Sequence, residues 1–369
     1  MIIAEKNRSL VEAIETYNKR QLSPRVRAAF LAVDRAAFVP HHYEQRPGEW
    51  LFQKTGDEAY ENRQLVVQVT NGLPSSSSSL PSLMASMLEA LDLHPGQRVL
   101  EIGTGTGYNA ALLGHIVGET GLITSIDIDA RLVALAHRRL EEEGVRNVLA
   151  RVHNGFLGYA PHRPYDRIIA TAGFQHLPHA WSEQLREGGI CVGNWLGPVV
   201  QPLLLLKKTT MHADLTGTII PSGALFMEMH HGEAPKMLAI DWTRYDRILP
   251  VQQSEDEELR QDLNNSAFLF FLSHEKKAVQ RHMRSLDGRI AITLIDTQDD
   301  SSITIVENTL IARGTLIETV NALKCRKHEI PAITEYHLHY HDGCLSVEWK
   351  GRREMLSLTR NPPVSWPDR

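Results

Sequence analysis

Residues 99–108 read Val-Leu-Glu-Ile-Gly-Thr-Gly-Thr-Gly-Tyr, and they restrict the possible folds more than any other stretch. A buried strand carrying one acid runs into three alternating glycines and then into a helical pattern. Glycine allows the positive φ angles of such a turn and lets a ligand come close to the backbone. The helix that follows presents N–H groups with no partner inside the helix. A chain organised on this unit is an open α/β sheet with a nucleotide-like ligand at the turn.

The spacing narrows the ligand. A dinucleotide fingerprint, G-x-G-x-x-G, would need its third glycine at position 108, where Tyr108 stands. The acid and glycines Glu101, Gly103, Gly105 and Gly107 instead resemble motif I of class I S-adenosylmethionine (SAM) methyltransferases. Asp127 ends the next predicted strand, 24 residues after Gly103. A carboxylate there can accept both hydroxyls of a ribose.

The rest of the chain alternates in the same way. Strands are predicted at 98–102, 122–127, 147–152, 165–171, 189–195 and 201–208, with helices at 107–117, 130–143 and 178–186. This is a doubly wound, mostly parallel sheet. Upstream, 7–36 read as helices from apolar spacings such as Leu10, Val11, Ile14 and Tyr17. Residues 41–82 read as a long irregular loop, and 83–93 as an amphipathic helix. Beyond about 215 the pattern becomes α+β. Strand-like runs fall at 268–272, 289–295, 303–307 and 336–341, with a helix at 316–323. The implied division is 1–82 as a helical, substrate-covering segment, 83–214 as the cofactor-binding core, and 215–369 as a C-terminal domain.

Bulk properties exclude several classes. A net charge of -5 disfavours a general nucleic-acid binder. The three cysteines are too far apart for a metal or disulfide framework, which points to a reducing cytoplasm. The first residues lack a signal-peptide pattern, and no apolar run is long enough to span a bilayer. No metal is expected. His337, His339 and His341 alternate as ligands on one strand face would, although a solvated strand edge accounts for them better. His230-His231 read as surface. Lys324, Arg326 and Lys327 form a basic patch at a helix end. Trp349 and Phe268, Phe270 and Phe271 read as core.

The flanks carry a closer resemblance. Val33-Asp34-Arg35-Ala36-Ala37-Phe38-Val39-Pro40, Ala59-Tyr60-Glu61-Asn62-Arg63-Gln64-Leu65, the glycine motif, Tyr165-Asp166-Arg167-Ile168-Ile169-Ala170-Thr171-Ala172 and Leu185-Arg186-Glu187-Gly188-Gly189 occur in order. Together they resemble the protein-L-isoaspartate (D-aspartate) O-methyltransferase family over residues 20–208. That resemblance implies a class I SAM methyltransferase core. Glu101, Gly103, Thr104, Gly105, Gly107, Tyr108, Asp127, Ile128, Asn154 and Gly155 would face SAM. The family's Thr-Ile-Ser-x-Pro loop falls on Ser77-Ser78-Ser79-Leu80-Pro81. Ser79 would be the residue meeting the acceptor carboxylate, with Ser77, Ser78, Ser82, Tyr60 and Arg63 as further substrate contacts. Two positions depart from the family: Ser82 replaces an aromatic or histidine, and Asn154 replaces an aspartate.

The serine-rich loop and the extension after 215 also resemble homologues encoded beside ribosomally made peptides such as lanthipeptides, lasso peptides and graspetides. Those relatives methylate an aspartate side chain of a precursor, and the ester closes to a succinimide (aspartimide), which persists or opens to isoaspartate. On that reading the extension grips the peptide. Two other readings stay open: repair of isoaspartyl residues in damaged proteins, and a non-catalytic SAM- or peptide-binding module. A nicotinamide dehydrogenase is disfavoured by the glycine spacing. The oligomeric state is not legible.

Overall fold

The computed structural model describes residues 3–46, 49–210, 212–224, 226–232, 251–254, 257–286, 289–307 and 309–358. Helices α1 (Ile3–Asn18) and α2 (Pro24–Ala32) and the short α3 (Arg35–Phe38) open the chain. Leu10, Val11 and Ile14 bury the inner stripe of α1, whereas Tyr17 lies exposed at its end.

Residues 41–82 are not a loop. They form β1 (His41–Arg46), β2 (Glu49–Lys54), β3 (Leu65–Thr70) and β4 (Leu73–Ser78), a four-stranded sheet of order β2-β1-β3-β4. Asn71 and Gly72 both have positive φ, 54° and 76°, and join β3 to β4. That pair is the two-residue turn whose twist suits a hairpin. Strand β4, Leu-Pro-Ser-Ser-Ser-Ser, hid in the sequence because it carries almost no apolar alternation, whereas β3, Leu-Val-Val-Gln-Val-Thr, is rich in β-branched residues.

The centre follows the expected alternation. Helix α4 (Pro81–Leu91) takes proline in its first turn, where no N–H is needed, and ends on Asp92 in the left-handed region, φ 47°. Then come β5 (Arg98–Ile102), α5 (Tyr108–Val117), β6 (Leu122–Asp127), α6 (Ala130–Glu142), β7 (Val148–Val152), β8 (Tyr165–Phe174), α7 (His179–Gln184), β9 (Leu185–Trp195), β10 (Pro202–Lys208) and β11 (Leu215–Gly223). Strands β5, β6, β7, β8 and β9 are parallel, and β5 lies between β6 and β8. The strand order therefore reverses at β5, and its carboxyl end is where such sheets bind ligands.

The sheet does not stop at residue 214. Strand β11 pairs antiparallel with β10 and then with β17 (His337–His341), followed by β18 (Cys344–Trp349) and β19 (Arg352–Leu358). The result is one ten-stranded sheet, β19-β18-β17-β11-β10-β9-β8-β5-β6-β7. A separate antiparallel five-stranded sheet, formed by β12 (Val251–Ser254), β13 (Val279–Leu286), β14 (Arg289–Asp296), β15 (Ser302–Val306) and β16 (Thr309–Arg313), belongs to the C-terminal region. Part of the expected domain from 215 onward is therefore a continuation of the core sheet.

Residues 268–272, read as strand-like, lie in the helix Ser266–Glu275. Asn265 caps it by accepting from the N–H groups of Ala267 and Phe268 at 2.9 and 3.3 Å. Its aromatic run is buried throughout, and a short apolar run buried on all sides has no periodicity to separate helix from strand. One core packs α1, α2, α4 and α5 on one face of the main sheet. The other joins the opposite face to the C-terminal region through Trp181, Trp195, Phe270 and Tyr336. Among the described residues, no helix is long and apolar enough to cross a membrane.

Candidate functional site

A cleft of about 480 Å³ opens over the carboxyl ends of β5, β6 and β8. Its walls are the glycine turn after β5, the end of β6, the serine-rich strand β4, and residues 226–232. Backbone dihedrals explain the glycines nearest the cleft. Gly103 has φ +99°, and a Cβ there would sit 2.7 Å from the Thr171 Oγ1 and 3.3 Å from the Thr171 carbonyl carbon. The turn is thus pressed against the end of β8. At Gly105, φ +50°, an added Cβ would lie in ordinary van der Waals contact with the Ser76 Oγ at 3.7 Å and the Ser77 carbonyl oxygen at 3.8 Å, so β4 lies against the turn.

Hydrogen bonds fix the turn to β6. The N–H groups of Gly103 and Thr104 donate to the Ile126 carbonyl at 2.8 and 3.2 Å. Gly105 N–H donates to one Asp127 oxygen at 3.0 Å, and Asp129 N–H donates to the other at 3.1 Å. Burial pushes the Asp127 carboxyl up from its ordinary pKa, opposed by these backbone donors and assisted by Asp129. A carboxylate has about four acceptor positions. The Ile128 N–H also helps hold the charge, and Asp127 keeps acceptor capacity for a ligand that brings its own donors.

Glu101 lies under the cleft, not in its lining. It is fully buried and accepts from Asn109 Nδ2 at 2.7 Å and Ser125 Oγ at 2.5 Å. Ser125 Oγ in turn lies 2.7 Å from Thr104 Oγ1, which does border the cleft. Burial pushes the Glu101 carboxyl up to about 7, with the two hydrogen bonds pulling the other way. Glu101 therefore reaches the cleft only through Asn109 and the Ser125–Thr104 pair.

The other anticipated residues divide in the same way. Gly103, Thr104, Gly105, Tyr108, Asp127, Ile128 and Gly155 border the cleft, as do Ser77, Ser78 and Ser79. Gly107 does not: with φ +86°, its missing Cβ lets α5 approach Ala136 of α6, whose Cβ would stand 3.0 Å away. Asn154 is spent locally, its Oδ1 accepting from Phe156 N–H at 3.0 Å and its Nδ2 3.3 Å from His231. Ser82 is fully buried outside the lining, its N–H on Asn62 at 2.9 Å. Tyr60 donates its hydroxyl to Asp34 at 2.8 Å, and Arg63 stands 3.5 Å from Glu61; neither borders the cleft.

Several lining residues escaped the sequence reading. Gln68 of β3 borders the cleft and donates to Asp129 at 2.8 Å, tying the hairpin to the end of β6. The Asn71-Gly72 turn was the available signal for that hairpin. His230 borders the cleft with Glu228 and Met229, although the histidine pair was expected at the surface. Gly173 holds this stretch, donating to the Met227 carbonyl and accepting from Met229 N–H, both at 2.8 Å. Exposed His231 stacks on Phe156 with ring centroids 4.4 Å apart. No local motif marks this segment, because only the tertiary fold brings it over the cleft.

The weaker candidates resolve by packing. Strand β17 is flanked by β11 and β18, so it is not a sheet edge. His339 stands 3.4 Å from Glu348, and His341 stands 2.6 Å from Asp214. No cluster able to hold a metal ion occurs among the described residues. Lys324 pairs with Glu258, Lys327 with Asp262 and Arg326 with Glu329, which neutralises the basic patch. Trp349, Phe268, Phe270 and Phe271 are buried core.

Comparison with known proteins agrees with this geometry. The profile of the family described as protein-L-isoaspartate(D-aspartate) O-methyltransferase matches residues 5–214. The protein-L-isoaspartate O-methyltransferase of Thermotoga maritima is 36% identical over 192 residues, which is 52% of this chain and 57% of that protein. The enzyme of the same name from Methanosarcina mazei is 38% identical over 210 residues, 57% of this chain and 76% of its own length. A solved structure named protein-L-isoaspartate O-methyltransferase superposes with a TM-score of 0.56 at 24% identity, covering 93% of this chain and 99% of the other. It shows a shared fold that continues well past residue 214. The match spans more than half of the chain, and the chain belongs to the protein-L-isoaspartate(D-aspartate) O-methyltransferase family, whose members are SAM-dependent enzymes of class I fold.

Proposed function

We propose that this chain is a protein-L-isoaspartate O-methyltransferase, transferring a methyl group from SAM to the free carboxylate of an isoaspartyl residue in a peptide or protein. The observation that carries this reading is the facing of two unlike walls across one cleft. On one side stand the glycine turn and the Asp127 carboxylate at the end of β6. On the other stand Ser77 and Ser79.

Bound SAM would supply an electrophilic methyl group on a sulfonium. Asp127 would hold its ribose hydroxyls, and the turn at Gly103, Thr104 and Gly105 would lie along it. Tyr108, Ile128 and Gly155 would complete that wall, while Glu101 would act from beneath by fixing Asn109 and Thr104. The acceptor carboxylate has an ordinary pKa near 4 and is already ionised at neutral pH, so no general base is needed. Catalysis is then alignment of the attacking oxygen at near-attack distance. Ser79 would orient that oxygen with one hydrogen bond. Ser77 sits beside it, its Oγ accepting from Gln64 at 2.8 Å.

The expected specialised reading, methylation of an aspartate in a ribosomally made precursor, rested on the serine-rich loop and the C-terminal extension. A protein named as an isoaspartyl methyltransferase shares the fold of nearly the whole chain, extension included. The extension is therefore no argument for a dedicated peptide, and the isoaspartyl reading has the better support.

The test is methyl transfer from labelled SAM to a short isoaspartyl peptide and to its normal aspartyl twin. Methylation of the isoaspartyl peptide alone is expected. Inactivity on it, with methylation of an aspartate in a co-expressed small precursor, would reverse the assignment.

A further inference from the structure

Arg35 is fully buried, and no carboxylate among the described residues answers its charge. Its guanidinium is spent on neutral oxygens from two segments that are far apart in sequence. Nη1 donates to the carbonyls of Ala59 and Glu61 at 3.3 and 3.1 Å. Nη2 donates to the carbonyls of Arg63, Ser78 and Ser79 at 3.0, 3.3 and 3.2 Å. Nε and Nη2 both reach the Ser78 hydroxyl, at 3.2 and 3.1 Å. A buried cation is expensive, and one paired only with carbonyls more so. The rigid five-donor fork is what lets one side chain hold both segments, and it fixes which way their carbonyls point.

Peptide geometry gives that direction a consequence. In a planar trans peptide, the N–H points opposite to the C=O that precedes it. Carbonyls of Ser78 and Ser79 drawn inward onto Arg35 leave the N–H groups of Ser79 and Leu80 facing away from it. Outside the ladder that pairs β3 with β4, neither N–H donates to a backbone acceptor among the described residues. Ser79 borders the cleft.

We propose that Arg35 is a positioning residue for the acceptor carboxylate, turning the N–H groups of Ser79 and Leu80 toward it as a pair of donors beside the Ser79 hydroxyl. The serine loop is then an anion-holding loop aimed from behind, and the buried cation also favours an anion in front of it. Ser78 belongs to this device: its hydroxyl is Arg35's acceptor, not the substrate's. This inference rests on the carboxyl methyltransferase reading above.

The decisive variant is Arg35→Lys, which keeps the charge but replaces the rigid five-donor fork with a point donor. SAM-product affinity, read by calorimetry with S-adenosylhomocysteine, should stay within about twofold of the parent, because none of Arg35's hydrogen bonds reaches the glycine turn and its approach to the Tyr108 ring, 6.0 Å to the centroid, keeps a cation in the lysine variant. A misplacement on the ångström scale costs about 100-fold, and kcat/KM for an isoaspartyl peptide should fall by about that factor, most of it in KM. Ser78→Ala, which removes one acceptor and keeps every carbonyl, should raise KM by a smaller factor with unchanged product affinity. A folded Arg35→Lys variant with the parent's KM overturns the inference. So does a loss of product affinity as large as the loss in KM, which would mark a merely structural role. If Arg35→Lys does not fold, Ser78→Ala decides: a parental KM refutes the proposal. Failure of the parent chain to methylate isoaspartyl peptide while still binding S-adenosylhomocysteine would instead refute the functional reading itself.

Discussion

Replacing Glu101 with glutamine tests how the cofactor wall is built. Glu101 is fully enclosed, and burial lifts its carboxyl from an ordinary 4.5 to about 7. The sign follows from linkage. Between pH 4.5 and 7 the folded state holds a proton that the unfolded chain has released, so stability falls as pH rises through that window and is level above it. A shift of about 2.5 pH units corresponds to about 3 kcal/mol at 1.36 kcal/mol per unit. Glu101→Gln mimics the protonated side chain: its carbonyl still accepts from Asn109, and its amide can donate to Ser125, which can donate onward to Thr104. The variant should match the parent near pH 4.5 and gain on it up to pH 7, reaching an advantage of about 3 kcal/mol. For a cooperative unit of about 200 residues this is about 6–12 °C in melting temperature. Thermal unfolding of both proteins from pH 4.5 to 8.5 measures it, and comparing the two removes every other titrating group. Because Glu101 does not border the cleft, S-adenosylhomocysteine affinity should change by less than tenfold. A melting difference that stays constant with pH would refute the burial argument. A collapse of cofactor affinity with stability intact would put Glu101 back in direct contact with the ligand.

Asp127→Asn should weaken S-adenosylhomocysteine binding by about 10–100-fold, since a hydrogen bond to a charged group is worth about 1.5–3 kcal/mol; calorimetry showing parental affinity would remove Asp127 from the site. Gly107→Ala forces a side chain into φ +86° and against Ala136, and the left-handed penalty alone is about 1–2 kcal/mol. It should lower the melting temperature while the folded protein keeps most of its cofactor affinity, and the reverse pattern would make Gly107 a ligand contact. Burial pushes the Cys191 thiol up to about 12, whereas Cys325 is exposed. At pH 8 a thiol reagent should label Cys325 promptly and Cys191 only on unfolding; equal labelling rates would contradict the buried placement.

The parallel core was legible because its signals are local. Strands β5, β6 and β8 each carry short apolar stretches buried on both faces, such as Val99-Leu100, Ile123 and Ile126, and Ile168-Ile169-Ala170, as strands covered by helices do. The glycine turn and the acid at Asp127 stand at spacings that a single βαβ unit imposes. The hairpin at 65–78 was missed because its serine-rich second strand leaves no alternation to read, although Asn71-Gly72 marked the turn. The helix at 266–275 was misread because its aromatic run is buried all round. At the site, Gly103, Gly105 and Asp127 could be placed from sequence, while Gly107 could not be separated from them. Only its distance to Ala136 shows that it serves helix packing.

The glycine-rich stretch from 99 to 108 carries the fold class and the kind of ligand within ten residues, since a strand, a turn and a helix start are short-range events. What lines the other half of the cleft is a long-range matter. Gln68, Ser79 and His230 meet there only because β3 docks on the end of β6, Arg35 draws the serine loop inward, and Gly173 holds residues 227–229. Glu101 shows the same division in one residue: its place in the motif is local, but its distance from the ligand is set by Ser125 and Asn109, which reach it from β6 and α5.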